Sequence, residues 1–318
     1  MAAIEIEGIS KSYGSVKALE DVSLSVEKGE IFGLIGPDGA GKTTLFRILT
    51  TLLLADSGTA RVEGDDVVRD YREIRRKIGY MPGQFSLYQD LSVEENLNFF
   101  ATVFGTTVKD NYEVIKDIYS QIEPFKTRRA GNLSGGMKQK LALSCALVHK
   151  PTVLFLDEPT TGVDAVSRKE FWDMLEKIRR SGVTVFVSTP YMDEASLCDR
   201  VALIMEGKII DTGTPEQISA KYPYRLYAVS AEPMHKLLKY LREDENIVSC
   251  FSFGAEHHLA VDADSCSAEE IARRIEEAGF KKCSIREIKP GIEDCFMQLA
   301  AAGNNGKVRR PERQDGAE

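Results

Sequence analysis

Apolar and polar positions alternate at Ile4 and Ile6, and again from Val22 to Val26, where Ser23 and Ser25 separate the hydrophobic residues. That period of two is the pattern of half-exposed, antiparallel strands. Ile31–Ile35, Val153–Leu156 and Val183–Val187 are nearly unbroken apolar runs, as expected of strands covered on both faces. Between them the spacing is helical. Met137, Leu141, Ser144, Cys145 and Val148 share one face, and so do Phe171, Met174, Leu175 and Ile178. Covered strands separated by amphipathic helices predict an α/β fold with a largely parallel, helix-flanked sheet over residues 1–220. Residues 92–129 keep helical periodicity without a strand, and Ser92 with Glu95 forms a capping box at their start. They predict a helical insertion, in a helical subdomain of about residues 90–150.

The pattern changes after Tyr222-Pro223. Arg225–Ser230 predicts a strand, and Met234, Leu237, Leu238 and Leu241 one face of a helix. Ile247–Phe253 and Leu259–Ala263 predict a hairpin around Gly254. Ser267 and Glu270 cap a helix that carries Ile271 and Ile275 inward and ends at Gly279. Cys283–Ile288 is the last predicted strand, followed by a short helix with Phe296 and Leu299. The order β-α-β-β-α-β predicts a small ferredoxin-like α+β domain over 223–302, which says nothing direct about function. Residues 303–318, rich in Gly, Asn and charge, are expected to be a disordered tail.

Composition narrows the function classes. With 318 residues, 43% hydrophobic and 28% charged, the chain has globular composition for about two domains. Its net charge of −8 argues against a nucleic-acid backbone as the main partner. The longest apolar run, 48–55, carries two threonines and is far short of a membrane helix. No secretory signal is expected at Met1-Ala-Ala-Ile-Glu5. Six scattered cysteines without a Cys-x-x-Cys pair are expected to be reduced. His257 and His258, adjacent near the predicted hairpin tip, point to opposite faces of a strand and are not expected to bind a metal.

The chemistry concentrates in three places. Gly36, Pro37, Asp38, Gly39, Ala40, Gly41, Lys42 and Thr43 fit G-x-x-x-x-G-K-[ST], directly after a covered strand and before a helix. The glycines let backbone N–H groups wrap a phosphate, and the helix N-terminus adds its positive dipole. Lys42 would reach the β- and γ-phosphates of ATP, Thr43 would ligate Mg²⁺, and Thr44 completes the loop set. Asp38 is the awkward member, a carboxylate close to phosphates. Secondly, the strand Val153–Leu156 runs into Asp157 and Glu158. Asp157 is placed to hold the Mg²⁺ shell, and Glu158 to polarise an attacking water. Thirdly, Leu133-Ser134-Gly135-Gly136 opens an amphipathic helix, offering a hydroxyl, N–H groups and a dipole to an anion.

These motifs, with Gly162-Val-Asp164, stand in the order and spacing of a known family. Over residues 1–220 the chain resembles the nucleotide-binding subunit of an ABC transporter. The resemblance implies two such domains pairing head to tail, each ATP held between one subunit's phosphate loop and the other's Ser134, Gly135 and Gly136. It implies that Tyr13 stacks on adenine. Residues 85–97 are similar to the region that docks a membrane permease, and with 160–168 they most resemble the bacterial ABC-2, exporter-type subfamily.

Two departures stand out. After Ser188-Thr189 the family pattern has a histidine where this chain has Pro190, which offers no donor to a γ-phosphate or a water. After Pro82 the family pattern has a glutamine, but Gly83 holds that place; Gln84, one residue late, is a candidate substitute, and the sequence alone leaves open whether it replaces it. Weak hydrolysis at the chain's own site is the expectation, since losing one transition-state group costs about 10²–10³ in rate. A heterodimer with a different ATPase subunit is therefore favoured over a homodimer in which Glu158 suffices. The chain is expected to bind ATP and Mg²⁺ on the inner, cytoplasmic face of the membrane, through separate permease subunits and without nucleic acid. The alternative is a soluble ABC-type ATPase with a ribosome-associated or regulatory, ATP-sensing role.

Overall fold

The alternating N-terminal segments form β1 (Ala2–Tyr13) and β2 (Val16–Glu27), paired antiparallel with Ile4, Ile6, Val22 and Val26 buried. The computed structural model describes residues 2–262 and 265–303, and the chain divides into two units after Pro215. The first unit continues with β3 (Ile31–Ile35), α1 (Lys42–Leu49), β4 (Ser57–Val62), β5 (Asp65–Asp66), α2 (Tyr71–Lys77) and β6 (Ile78–Met81). Then come α3 (Val93–Val103), α4 (Tyr112–Tyr119), α5 (Gly135–Leu147), β7 (Val153–Asp157), α6 (Ala165–Arg180), β8 (Thr184–Thr189), β9 (Arg200–Met205) and β10 (Lys208–Gly213).

Two sheets organise this unit, in the orders β2-β1-β4-β5 and β10-β9-β3-β8-β7-β6. In the second, the five strands from β9 to β6 are parallel, and β10 joins the edge antiparallel to β9. All five residues of β3 and of β7 are buried, which is why their sequences lack alternation. Helix α1 shares one core with both sheets. Its Phe46 ring lies 4.8 Å from Phe186 and 5.8 Å from Phe155, a contact worth about 3–5 kcal/mol on truncation to alanine. Packing, rather than a side-chain cap, fixes where this short helix begins.

The insertion is helical as predicted, with the Ser92–Glu95 capping box opening α3. The strands β4 to β6, β9 and β10 were not foreseen; β6 has only four residues and β5 two, too short for a period to show.

The second unit holds α7, whose helix runs Pro215–Ser219, then β11 (Arg225–Glu232), α8 (Met234–Arg242), β12 (Ser249–Phe253), β13 (Glu256–Val261), α9 (Ala268–Glu277), β14 (Lys281–Ile288) and α10 (Ile292–Gly303). Its four-stranded antiparallel sheet has the order β12-β13-β11-β14. Tyr227, Val229, Leu237, Leu241, Leu259 and Ile271 build a separate core. The predicted element order and the Ser267–Glu270 capping box are present.

The Ile218 carbonyl, in the second unit, accepts from the Cys295 thiol of α10. Two expectations are corrected. The hairpin turn is tight, at Gly254-Ala255, so pairing begins at Phe253 with Glu256. His257 and His258 therefore sit within β13, opposite Val229 and Ala228, and not at a tip. They do point to opposite faces: His257 bonds the Met234 carbonyl and His258 the Asp294 carboxylate. Of the predicted tail, residues 304–318 lie outside the described residues. All six cysteines are free thiols, four of them buried.

Candidate functional site

Parallel strands bring their C-terminal ends to one edge, and the register is tight: Ile35 stands beside Thr189, and Asp157 beside Ser188. Thus the phosphate loop, the Asp157–Glu158 pair and the Ser188–Pro190 segment emerge together, where ligands bind in open α/β sheets.

The loop itself is held by close packing. A Cβ on Gly36 would lie 2.1 Å from the Ile204 carbonyl oxygen. At Gly41, φ is 102° and a Cβ would lie 2.3 Å from the Ala18 carbonyl oxygen. Only glycine fits either position. Pro37, Asp38 and Gly39 are exposed, whereas Ala40 is buried. The awkward Asp38 thus sits on the open side of the loop. Thr43 and Thr44 are half-buried on the first turn of α1.

Lys42 is 3% exposed, and a buried ammonium needs compensation. It donates to the carbonyls of Gly36 (2.8 Å) and Pro37 (3.0 Å) and pairs with Glu158 Oε1 at 3.1 Å. This ion pair joins the end of β7 to the start of α1, so the two residues read as metal ligands, Asp157 and Thr43, neighbour the two partners in sequence. A triphosphate entering the loop would offer Lys42 oxygens in place of those it now holds.

Asp157 is 2% exposed, and its Oδ1 accepts from Ser188 Oγ at 2.7 Å. Glu158 has a left-handed backbone, φ 49°, a conformation that side chains other than Gly rarely hold without support. Support comes from Ser188: the Glu158 N–H donates to its carbonyl (3.0 Å) and its hydroxyl (3.1 Å). Ser188 thus holds the Asp157 carboxylate and the Glu158 backbone. Tyr80, on the adjacent β6, has its phenol pushed up to about 12, chiefly by burial and then by the charge of Asp157. It stays protonated at neutral pH.

The remaining predicted residues divide between the β1–β2 turn, a cavity beside Glu158 and the start of α5. Tyr13 is exposed at the β1–β2 turn, facing Val16. Gln84 is exposed and, with Glu158, Gly135 and Gly162, lines a cavity of about 200 Å³. Gly83 is close-packed there: a Cβ would meet the Asp157 carbonyl oxygen at 3.0 Å, so a larger residue needs the backbone to give. Pro190 follows Thr189, whose carbonyl accepts from the Gly36 N–H. It therefore stands next to the loop without a donor to offer.

Ser134 and Gly135 are exposed and Gly136 half-buried. Ser134 is the N-cap of α5, accepting from the Met137 N–H. The predicted turn is thus free to meet an anion from outside. Asp164 caps α6, and its carboxyl is held below the usual range by the Ser167 N–H and hydroxyl and the Val166 N–H.

Sequence reading missed the polar residues that hold these pieces: Ser188, Thr189, Thr160, Gln139 and Glu194. Gln139 Nε2 donates to the Pro159 carbonyl, and Glu194, 1% exposed, accepts from Thr160 and Thr189. The one available signal was a Ser-Thr pair closing an otherwise apolar strand. Among the described residues, no cluster of three or more His, Cys, Asp or Glu could hold a metal by itself. The donors present, one Thr hydroxyl and one carboxylate, suit Mg²⁺ held jointly with phosphates.

Known proteins bear on this geometry. A family model described as ABC transporter matches residues 19–161. The chain is 35% identical over 315 residues to the doxorubicin resistance ATP-binding protein DrrA of Mycobacterium tuberculosis (strain CDC 1551 / Oshkosh), covering 93% of each. It is 43% identical over 220 residues to the probable multidrug ABC transporter ATP-binding protein YbhF of Escherichia coli (strain K12). That match covers 69% of this chain but only 38% of the relative's length. Among solved structures, the dimeric structure of MJ0796, a bacterial ABC transporter cassette, is 25% identical with a TM-score of 0.61, covering 66% of this chain and 98% of that one.

Proposed function

The chain belongs to the ABC transporter ATP-binding proteins, and from that premise we propose that it energises export through separate membrane permease subunits, paired with a different ATPase subunit. Its ATPase domain spans about residues 1–220, and residues 223–302 are a ferredoxin-like accessory module. Mg-ATP binds with its phosphates in Gly36–Thr43, Lys42 against the β- and γ-phosphates, Thr43 and Asp157 around Mg²⁺, and adenine on Tyr13. Ser134, Gly135 and Gly136 face the γ-phosphate of ATP on the partner subunit's loop.

Hydrolysis at the chain's own site is slow. Glu158 is present as base, but Pro190 supplies no donor and Gln84 stands one residue from the family's position. The observation that carries the asymmetry is this contrast between a buried, fully compensated Lys42 and a proline at the end of β8. Export is the reading suited to relatives named for doxorubicin resistance and, at 39% identity over 222 residues, Nod factor export in Paraburkholderia xenovorans (strain LB400). No helix among the described residues is long and apolar enough to cross a membrane; the proposal assigns the membrane path to other subunits and places the chain at the cytoplasmic surface.

Affinity purification from detergent-solubilised cells tests this. An integral membrane permease and a second ATPase subunit are the expected companions. Recovery of ribosomal RNA instead would favour the soluble, non-transport alternative.

A further inference from the structure

A buried carboxylate outside the phosphate site joins three segments that the proposed function uses separately. Glu194 lies in the 3-10 turn Met192–Leu197 and is 1% exposed. Its Oε2 accepts from Thr189 Oγ1 at 2.5 Å and its Oε1 from Thr160 Oγ1 at 2.7 Å. Both threonines are fully buried. Thr189 also receives the Gly36 N–H on its carbonyl, at 3.3 Å. On the other side, Thr160 follows Pro159, whose carbonyl accepts from Gln139. Gln139 lies on α5, five residues after its N-cap, Ser134. A chain of contacts therefore runs from the start of the phosphate loop, through Thr189, Glu194 and Thr160, to the helix that presents Ser134–Gly136.

We propose that Glu194 is a positioning residue that couples occupancy of the Gly36–Thr43 loop to the placement of Ser134–Gly136. This rests on the reading of those two segments as nucleotide-binding.

Such a coupling needs an element with two arrangements, and Arg168 supplies it. Its Nε is buried without a hydrogen-bond partner and lies 3.8 Å from Glu194 Oε1. Its guanidinium stacks 4.2 Å over the Tyr191 ring, one residue past Pro190. A shift of about 1 Å would turn the loose ion pair into a charge-assisted hydrogen bond. A nucleotide that draws on the Gly36 amide moves Thr189, and with it the carboxylate between Thr160 and Arg168. A burial role alone would be met as well by apolar side chains, since buried ion pairs add little net stability. In a chain with Pro190, this relay lets a slowly hydrolysed ATP still govern the surface offered to the partner.

Peptide-resolved hydrogen exchange on the full chain, with and without a Mg²⁺-bound non-hydrolysable ATP analogue, tests the proposal. In the wild-type chain the analogue should slow exchange at 36–43 and also at 134–139 and 159–164. In Glu194→Gln the first response should persist while the second falls by about tenfold. A merely structural role would weaken both together. Thr160→Val, nearly isosteric, should give the same split, and Thr160→Ser should restore the wild-type response; this pair decides the matter should Glu194→Gln fail to fold. Variants that keep the full response at 134–139 overturn the relay. A wild-type chain with no response at 36–43 overturns the nucleotide reading itself, and the relay with it.

Discussion

The loop after β3 and the rim formed by the end of β8 with residues 82–86 share one edge of the sheet yet are built differently. The loop is closed: Gly36 and Gly41 are pressed against backbone oxygens, and Lys42 is buried with three oxygen partners. The rim is open: Gln84 is exposed, and Pro190 has nothing to donate. In the proposed function, gripping a phosphate tail and aiming a water draw on different strand ends, so that one could be altered while the other stays intact. Ser188, between them, still holds the Asp157 carboxylate and the Glu158 backbone N–H.

Pro190→His should raise turnover of the isolated chain toward the ~10²–10³-fold typical of a restored transition-state group, measured by phosphate release, with ATP affinity little changed. An unchanged rate would mean that the rim is not what limits the site. From the loop side, Lys42→Ala should weaken Mg-ATP binding by about 10–100-fold, the worth of charged hydrogen bonds, read by calorimetry. A smaller expected effect comes from Ser134→Ala: about 1 kcal/mol or less of stability through the lost cap, read from the urea midpoint, and an unchanged midpoint would mean that the cap adds nothing.

The smallest effect is a control on α6. Bonds from Arg179 and then Arg180 hold the Glu176 carboxyl at about 2, below its ordinary 4.5. A carboxyl depressed by folding stabilises fully above its unfolded value and loses that contribution as pH falls from 4.5 through about 2. Glu176→Gln should therefore lower the urea midpoint near neutral pH and flatten the acid limb, while ATP binding stays as it was. The effect is modest because the pair is solvent-screened.

Legibility in the sequence followed the length scale of the signal. The fully buried strands β3, β7 and β8, the capping boxes at Ser92 and Ser267, and the glycine loop were readable because local pattern dictates them. Short strands such as β6 leave no period. The Glu194–Thr160 contact was invisible, since it joins residues 34 apart that become neighbours only when β7 and β8 pair. The histidines of β13 were misplaced because a strand boundary at a tight turn depends on register rather than on composition. Gln84 could be found, but its exposure at the rim could not.

One measurement bears most directly on an ATP that is held but slowly cleaved: calorimetry and steady-state phosphate release on the same purified chain. Clear association with Mg-ATP together with slow turnover is expected. Rapid turnover that Glu158→Gln abolishes would contradict it, as would the absence of any binding.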